Sequence, residues 1–226
     1  MNDATLYIYA FAAKKIPTLV YRGIEESPIQ YTQKGKVVAI WSYLNNPQEL
    51  QKNLYSDTQS AALKHYTLLS EIAPTTALLP CKFGTILKNE EDLAQLITNQ
   101  QDALLALLTQ IENCCEYDLK ITLTEKAIPQ TGTEYLKQKQ ELLKTHQQIE
   151  AELSHLPLQY PEIIKKYVFH KKQDSFLSNS SWLVSNSEEA RFLSIIATLQ
   201  QKNMHWQYSL SVYPFPYKTI QLNFTL

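Results

Sequence analysis

The chain has 226 residues, 44% of them hydrophobic and 11% aromatic, so it is long enough to bury a core and too apolar to stay unfolded. Its 21 Lys and Arg balance 22 Asp and Glu for a formal charge of −1, and only Arg22 and Arg191 carry a guanidinium fork, which argues against a nucleic-acid surface. The four glycines, Gly23, Gly35, Gly84 and Gly132, are spaced too widely for a phosphate-cradling loop, and no nucleophile elbow can be written.

Met1-Asn2-Asp3 leads into a Tyr-rich run with neither a basic n-region nor an apolar stretch of signal length. No 18-residue apolar run occurs anywhere, so the expectation is a soluble cytoplasmic protein without a membrane partner. Residues 5–11 alternate Leu6, Ile8 and Ala10 with Tyr7, Tyr9 and Phe11, the pattern of a strand covered on both faces. A second strand is predicted over residues 37–41, after the Gly35 turn. Pro47 opens a polar helical segment. Asp57 is placed to cap a helix with Ala61, His65, Leu68, Leu69 and Ile72 on one face, and Pro74 ends it.

Residues 76–83 read as a short buried strand running into a turn at Gly84. Asn89, followed by Glu90, Glu91 and Asp92, marks a helix start because acidic groups oppose the positive end of the helix dipole. Leu93, Leu96, Ile97, Leu104, Leu107, Leu108 and Ile111 form its core stripe. Residues 118–124 alternate, with Leu119, Ile121 and Leu123 expected inward and Asp118, Lys120 and Thr122 outward.

After Pro129 the chain turns rich in Lys, Gln and Glu, and residues 133–156 carry Leu142, His146, Ile149 and Leu153 in a narrow seam. Pro157 and Pro161 are expected to break this helix, with residues 162–170 returning as an antiparallel partner. Residues 176–184 read as a strand, Ser187 as the cap of a helix burying Phe192, Ile195, Ile196 and Leu199, and residues 205–213 as an alternating strand. An alternating tail, 220–226, follows the break at Pro214 and Pro216. Mixed elements with one-sided alternators give an α+β fold in two parts, residues 1–125 and 126–226. No internal repeat is present.

Chemistry-bearing residues are scattered. His65, His146, His155, His170 and His205 sit singly on different predicted elements, with no metal-ligand spacing. His65 and His146 read as packed or interface histidines, and a Ser-His-Asp set assembled by folding would leave no local signature. Cys81 reads as a buried small hydrophobe beside Lys82; of the vicinal Cys114 and Cys115, one is expected to face the core and the other outward. An odd, low cysteine count without C-x-x-C suits free thiols in a reducing compartment. No catalytic, cofactor or metal residue is predicted. The run Tyr208, Tyr213, Phe215 and Tyr217, broken by two prolines, is either an arm packed over its own domain or an exposed aromatic contact surface.

His65, then Leu68-Leu69, then Leu79-Pro80-Cys81-Lys82-Phe83-Gly84-Thr85 resembles the gas vesicle protein F/L family. Leu6-Tyr7-Ile8-Tyr9, Val37-Val38-Ala39-Ile40, Glu116-Tyr117-Asp118-Leu119-Lys120, Gly132 with Tyr135-Leu136, and Ser181-Trp182-Leu183-Val184 before Phe192 follow in the family's order. Three departures stand out: Tyr66 where the family usually has Glu, Lys82 where it usually has Arg, and Tyr213-Pro214-Phe215-Pro216-Tyr217 for its closing Gly-Pro-Trp-Pro-Pro-Tyr motif.

The resemblance implies a ferredoxin-like α+β domain over residues 1–125. Over residues 126–226 it implies an α+β domain with a helical hairpin at about 133–170 and an aromatic, proline-containing tail. It also implies a non-enzymatic role in gas vesicle assembly, with a vesicle-associated location and the small, hydrophobic shell subunit and other accessory proteins as partners. Lys82, Phe83 and Thr85 at the central turn and Tyr213, Phe215 and Tyr217 in the tail are the expected contact residues. An adaptor acting through the hairpin, and an enzyme on a ferredoxin-like scaffold, are the alternatives.

Overall fold

The computed structural model describes residues 5–13, 21–44, 58–123, 130–171, 176–203, 205–220 and 222. Contacts divide the chain into two units: Met1–Glu112 with Pro214–Leu226, and Asn113–Tyr213. The expected division at 125/126 thus falls earlier, and the tail returns to the first unit. The reason lies in strand pairing: among the described residues, the strand starting at Cys114 hydrogen-bonds only to strands later in the chain.

The first unit is built on β1 (Thr5–Ala12), whose residues Leu6 through Ala12 are all 0% exposed. β2 (Gln30–Lys34) and β3 (Val37–Leu44) form a hairpin closed at Gly35, where φ is +57°, a conformation glycine adopts without steric cost. β2 was not anticipated, since its half-exposed sequence QYTQK lacks an apolar face. The sheet runs β2-β3-β1-β4, all antiparallel, with β4 (Leu78–Pro80) and β5 (Ile86–Leu87) both pairing with β1. A ferredoxin-like unit has a helix between its first two strands; the described part of that connection holds a 3-10 turn at Ile24–Glu26.

A β-bulge between Ile8 and Ala10 shifts the register of β1 against β3. It brings Tyr7 and Tyr9 into one core cluster with Ala10 and Ala12, together with Leu68, Leu69 and Ile72 of α1 (Thr58–Ile72). The Pro47 segment and the Asp57 cap lie outside the described residues. Pro74 sits in a 3-10 turn that closes α1, as expected. α2 (Glu90–Ile111) starts as predicted, with Asn89 Oδ1 accepting the Asp92 N–H at 2.8 Å, and it buries Leu93, Ile97, Leu104, Leu108 and Ile111.

The second unit is a sheet in the order β7-β8-β6-β9, comprising β6 (Cys114–Leu123), β7 (Ile164–Phe169), β8 (Ser178–Ser185) and β9 (Trp206–Tyr213). α3 (Gly132–Gln159) and α4 (Glu189–Lys202) supply Ile149, Leu153, Leu156, Phe192, Ile196 and Leu199 to a core around Trp182. Thr131 caps α3 by accepting the Glu134 N–H.

Three expectations need correction here. Residues 162–170 do not return as a helix, so no helical hairpin forms; β7 pairs with β8, and Tyr167 stacks on Trp182 with ring centroids 5.3 Å apart. The β-branched and aromatic side chains of Tyr167, Val168 and Phe169 find cross-strand partners that a helix would not offer. Pro157 lies inside α3, which continues to Gln159: the proline removes only the one bond of its own missing N–H, and it does so in the last turn, where the closing helical bond, Tyr160 N–H to the Leu156 carbonyl, still forms. Ser187 does not cap α4 but lies in a preceding 3-10 turn, Asn186–Glu188.

Trp182 is fully buried and touches Tyr167, Phe169 and Phe192. Trp182→Ala is therefore expected to destabilise the fold by about 3–5 kcal/mol, measured as a lower urea midpoint for the full chain.

Candidate functional site

The Leu79–Thr85 segment is shaped by backbone bonds to β1. The Cys81 N–H donates to the Tyr9 carbonyl at 2.8 Å, and the Ile8 N–H to the Thr85 carbonyl at 3.0 Å. Between them Lys82 to Thr85 form a turn closed by the Thr85 N–H on the Lys82 carbonyl at 3.0 Å, with Gly84 at φ +86°. Positive φ at the third residue is the type II signature, and glycine supplies it without strain. The Thr85 hydroxyl also donates to the Lys82 carbonyl, at 2.6 Å, so Thr85 acts as a clamp on the turn.

Under the turn lies a buried aromatic group. The Tyr7 hydroxyl accepts the Gly84 N–H at 3.1 Å and bonds His65 Nδ1 at 2.9 Å. Tyr7, Tyr9 and Phe83 surround the His65 ring, with centroids 5.7, 5.5 and 5.8 Å away. Tyr9 is anchored by the Ile24 N–H at 2.7 Å and by Ser42 Oγ at 3.0 Å. Burial pushes His65 down to about 4, against an opposing contribution from the Cys81 backbone, and it pushes the Tyr7 hydroxyl and Cys81 thiol up. All three groups are therefore uncharged at neutral pH.

Above the node, Pro80, Cys81, Lys82 and Phe83 face Tyr217, Lys218, Ile220 and Leu222 of the C-terminal segment across a groove of about 490 Å³. The structure thus brings together Lys82, Phe83 and Tyr217 from the expected contact set. Lys82 is exposed, Phe83 is half-buried against the core, and Tyr217 is 44% exposed. Phe215 is 1% exposed and packs on Tyr66 at 5.6 Å, which makes it the plug that fixes the tail and not a contact surface. Tyr213 closes β9 in the other unit. Lys218 and Ile220 were not singled out in the sequence; only the return of the tail to the first unit places them here. The outer part of the tail alternation, 223–226, lies outside the described residues.

Folding also assembles a Ser-His-Asp line in the second unit. His170 Nε2 lies 2.6 Å from Ser181 Oγ, which donates to Asp118 Oδ1 at 2.5 Å. The serine stands in the middle and is 0% exposed, whereas acyl-transfer chemistry needs the histidine between an accessible serine and the carboxylate. Asp118, expected to face outward, is 2% exposed because it lies opposite Ser181 in the β6–β8 register. Cys114 and Cys115 are both buried, and burial pushes Cys115 up to about 11, which leaves no reactive thiolate there. Among the described residues no cluster of three metal-ligating side chains occurs, and no helix is long and apolar enough to cross a membrane.

The family model described as gas vesicle synthesis protein GvpL/GvpF matches residues 5–218. No curated protein sequence matches significantly. The fold is similar to the crystal structure of gas vesicle protein GvpF from Microcystis aeruginosa, with a TM-score of 0.73, 18% identity, and 97% of this chain and 100% of that one covered. It is likewise similar to that of GvpF from Anabaena sp. PCC7120, with a TM-score of 0.75, 16% identity, and 98% and 100% coverage.

His65 gives the node a pH signature. Its folded value near 4 lies below the ordinary 6.5, so between these limits the unfolded chain binds more protons. The node's contribution is complete above pH 6.5 and is lost as pH falls toward 4, by about 3 kcal/mol in all. Urea unfolding from pH 7.5 to 4.5 is expected to show this slope, and His65→Gln to flatten it.

Proposed function

This chain belongs to the gas vesicle synthesis protein GvpL/GvpF family, and from that premise we propose that it serves gas vesicle assembly by capturing the hydrophobic shell subunit in the groove at Lys82, Phe83 and Tyr217. The observation that carries the reading is the groove itself, where apolar Pro80, Phe83, Ile220 and Leu222 lie beside the cations of Lys82 and Lys218. Covering one Leu- or Phe-sized side chain there contributes about 1.5–3 kcal/mol. A subunit with a water-averse face is thereby shielded from self-association until it joins the shell.

The role is binding and not catalysis. His65 and Cys81 at the groove are buried and uncharged at neutral pH, which suits a rigid support. The half-buried Phe83 and exposed Tyr217 supply large apolar area with little rotamer freedom to lose. Exposed Tyr135, Leu136 and Leu143 on the N-terminal half of α3 favour a second role, docking another accessory protein of the vesicle.

A co-expression pull-down with the shell subunit tests the groove. Wild type is expected to recover the subunit, and Lys82→Glu/Tyr217→Ala to reduce recovery about tenfold, the loss typical of a central anchor. Recovery unchanged by that double variant overturns the groove as the contact. Recovery of accessory proteins alone, abolished by Leu136→Ser/Leu143→Ser, favours the adaptor role.

A further inference from the structure

Sheet edges are open templates for another strand, and proteins usually block them. In the first unit, β2 is five residues long and ends in Lys34, while β4 has three residues and ends in Pro80. In the second unit, β7 carries exposed Lys165 and Lys166 and a bulge between Ile164 and Lys166. β9 has none of these devices. Its eight residues, WQYSLSVY, contain no charge and no proline, and they pair with β6 in unbroken register. Among the described residues no strand pairs with its far side. Trp206, Tyr208 and Leu210 are only partly buried at the margin of the core, and Val212 on the same face is 56% exposed.

We propose that β9 is a self-pairing edge, by which two copies of this chain join antiparallel, β9 to β9, and merge two four-stranded sheets. The occupant follows from the strand's own pattern. A two-fold antiparallel pairing sets residue i opposite residue j at a constant sum, and an even sum keeps side chains of one face together. Centred on Ser209, it places Trp206 opposite Val212, Tyr208 opposite Leu210 and Gln207 opposite Ser211. Centred on Leu210, it places Tyr208 opposite Val212 and Ser209 opposite Ser211. Either centre covers Val212 with an aromatic ring, an aromatic–β-branched pairing that sheets favour. A slip by one residue would set serines against the apolar face. No register opposes like charges, since β9 has none, whereas β7 paired with itself would bring Lys165 and Lys166 against their own copies. The self-pairing is independent of the shell-subunit reading and holds whether or not the groove binds it.

Sedimentation velocity of the full chain over a concentration series to tens of micromolar is the test. A concentration-dependent dimer is expected. Ser209→Lys/Ser211→Lys and Ser209→Glu/Ser211→Glu should each weaken dimerisation at least tenfold, while an equimolar mixture of the two should recover it through paired opposite charges. Thermal melting of each variant reports its fold. If the serine changes lower it, Val212→Lys, at an exposed position, is the replacement and is expected to dissociate the dimer equally. A wild type that stays monomeric throughout, a dimer that the variants leave intact, or folded Lys and Glu variants that stay monomeric when mixed overturns the proposal.

Discussion

The Tyr7 hydroxyl holds together three segments that are far apart in sequence. It accepts from Gly84 in the turn after β4 and bonds His65 on α1, positions 77 and 58 residues away. Leaving a buried polar group unpaired costs about 1–3 kcal/mol, so the turn, the helix and β1 are selected together. The bulge between Ile8 and Ala10 matters for the same reason. It turns Ala10 and Ala12 onto the face that Tyr7 and Tyr9 share by alternation, and Tyr9 anchors the Ile24 turn and Ser42. Lys82 and Phe83 owe their positions to this buried frame.

Much of the fold could be read from local pattern. The Asn89 cap works through the next turn of its own helix, and the burial of β1 on both faces follows from its unbroken apolar and aromatic alternation. What could not be read depends on partners distant in sequence. Asp118 occupies a position that alternation assigns to solvent, yet Ser181 across the β6–β8 ladder supplies the hydroxyl that makes its burial tolerable. Residues 162–170 lie after a long helix and two prolines, a context that suggests a second helix. Stacking of Tyr167 on Trp182 decides for a strand, and that contact has no local signal. The division of the chain eluded sequence reading for a related reason: a composition shift after Pro129 marks the start of α3, not the boundary that strand pairing sets at Glu112 and Asn113.

The candidate site was half readable. The Leu-Pro-Cys-Lys-Phe-Gly-Thr run announces its turn through Gly84, and Lys82 and Phe83 stand beside it. The tail is harder, because Phe215 and Tyr217 are alike as aromatic residues next to proline. Their fates diverge because Tyr66 offers a ring for Phe215 to pack on, while Tyr217 remains at the groove wall. Tyr66 is also a departure from the family pattern at the helix position after His65. The substitution that looked like a lost feature is, in the fold, the seat of the tail.

Binding and catalysis make opposite demands on buried titratable groups. A general acid or base works best with its pKa near the ambient pH, yet burial moves His65 well below that point and the Cys81 thiol and Tyr7 hydroxyl well above it. None of them responds to a proton near neutrality, so the node keeps one set of hydrogen bonds and the turn keeps one shape. That constancy suits a groove that must present Lys82 and Phe83 in a fixed geometry, because ordering costs met during folding need not be met again on binding. The groove offers side-chain shape and charge, with Phe83 and Ile220 beside Lys82 and Lys218, whereas the β9 edge offers backbone hydrogen bonds with little side-chain selectivity. Selectivity at such an edge comes from register, and in β9 the alternation of aromatic or aliphatic residues with Ser and Gln is what sets it.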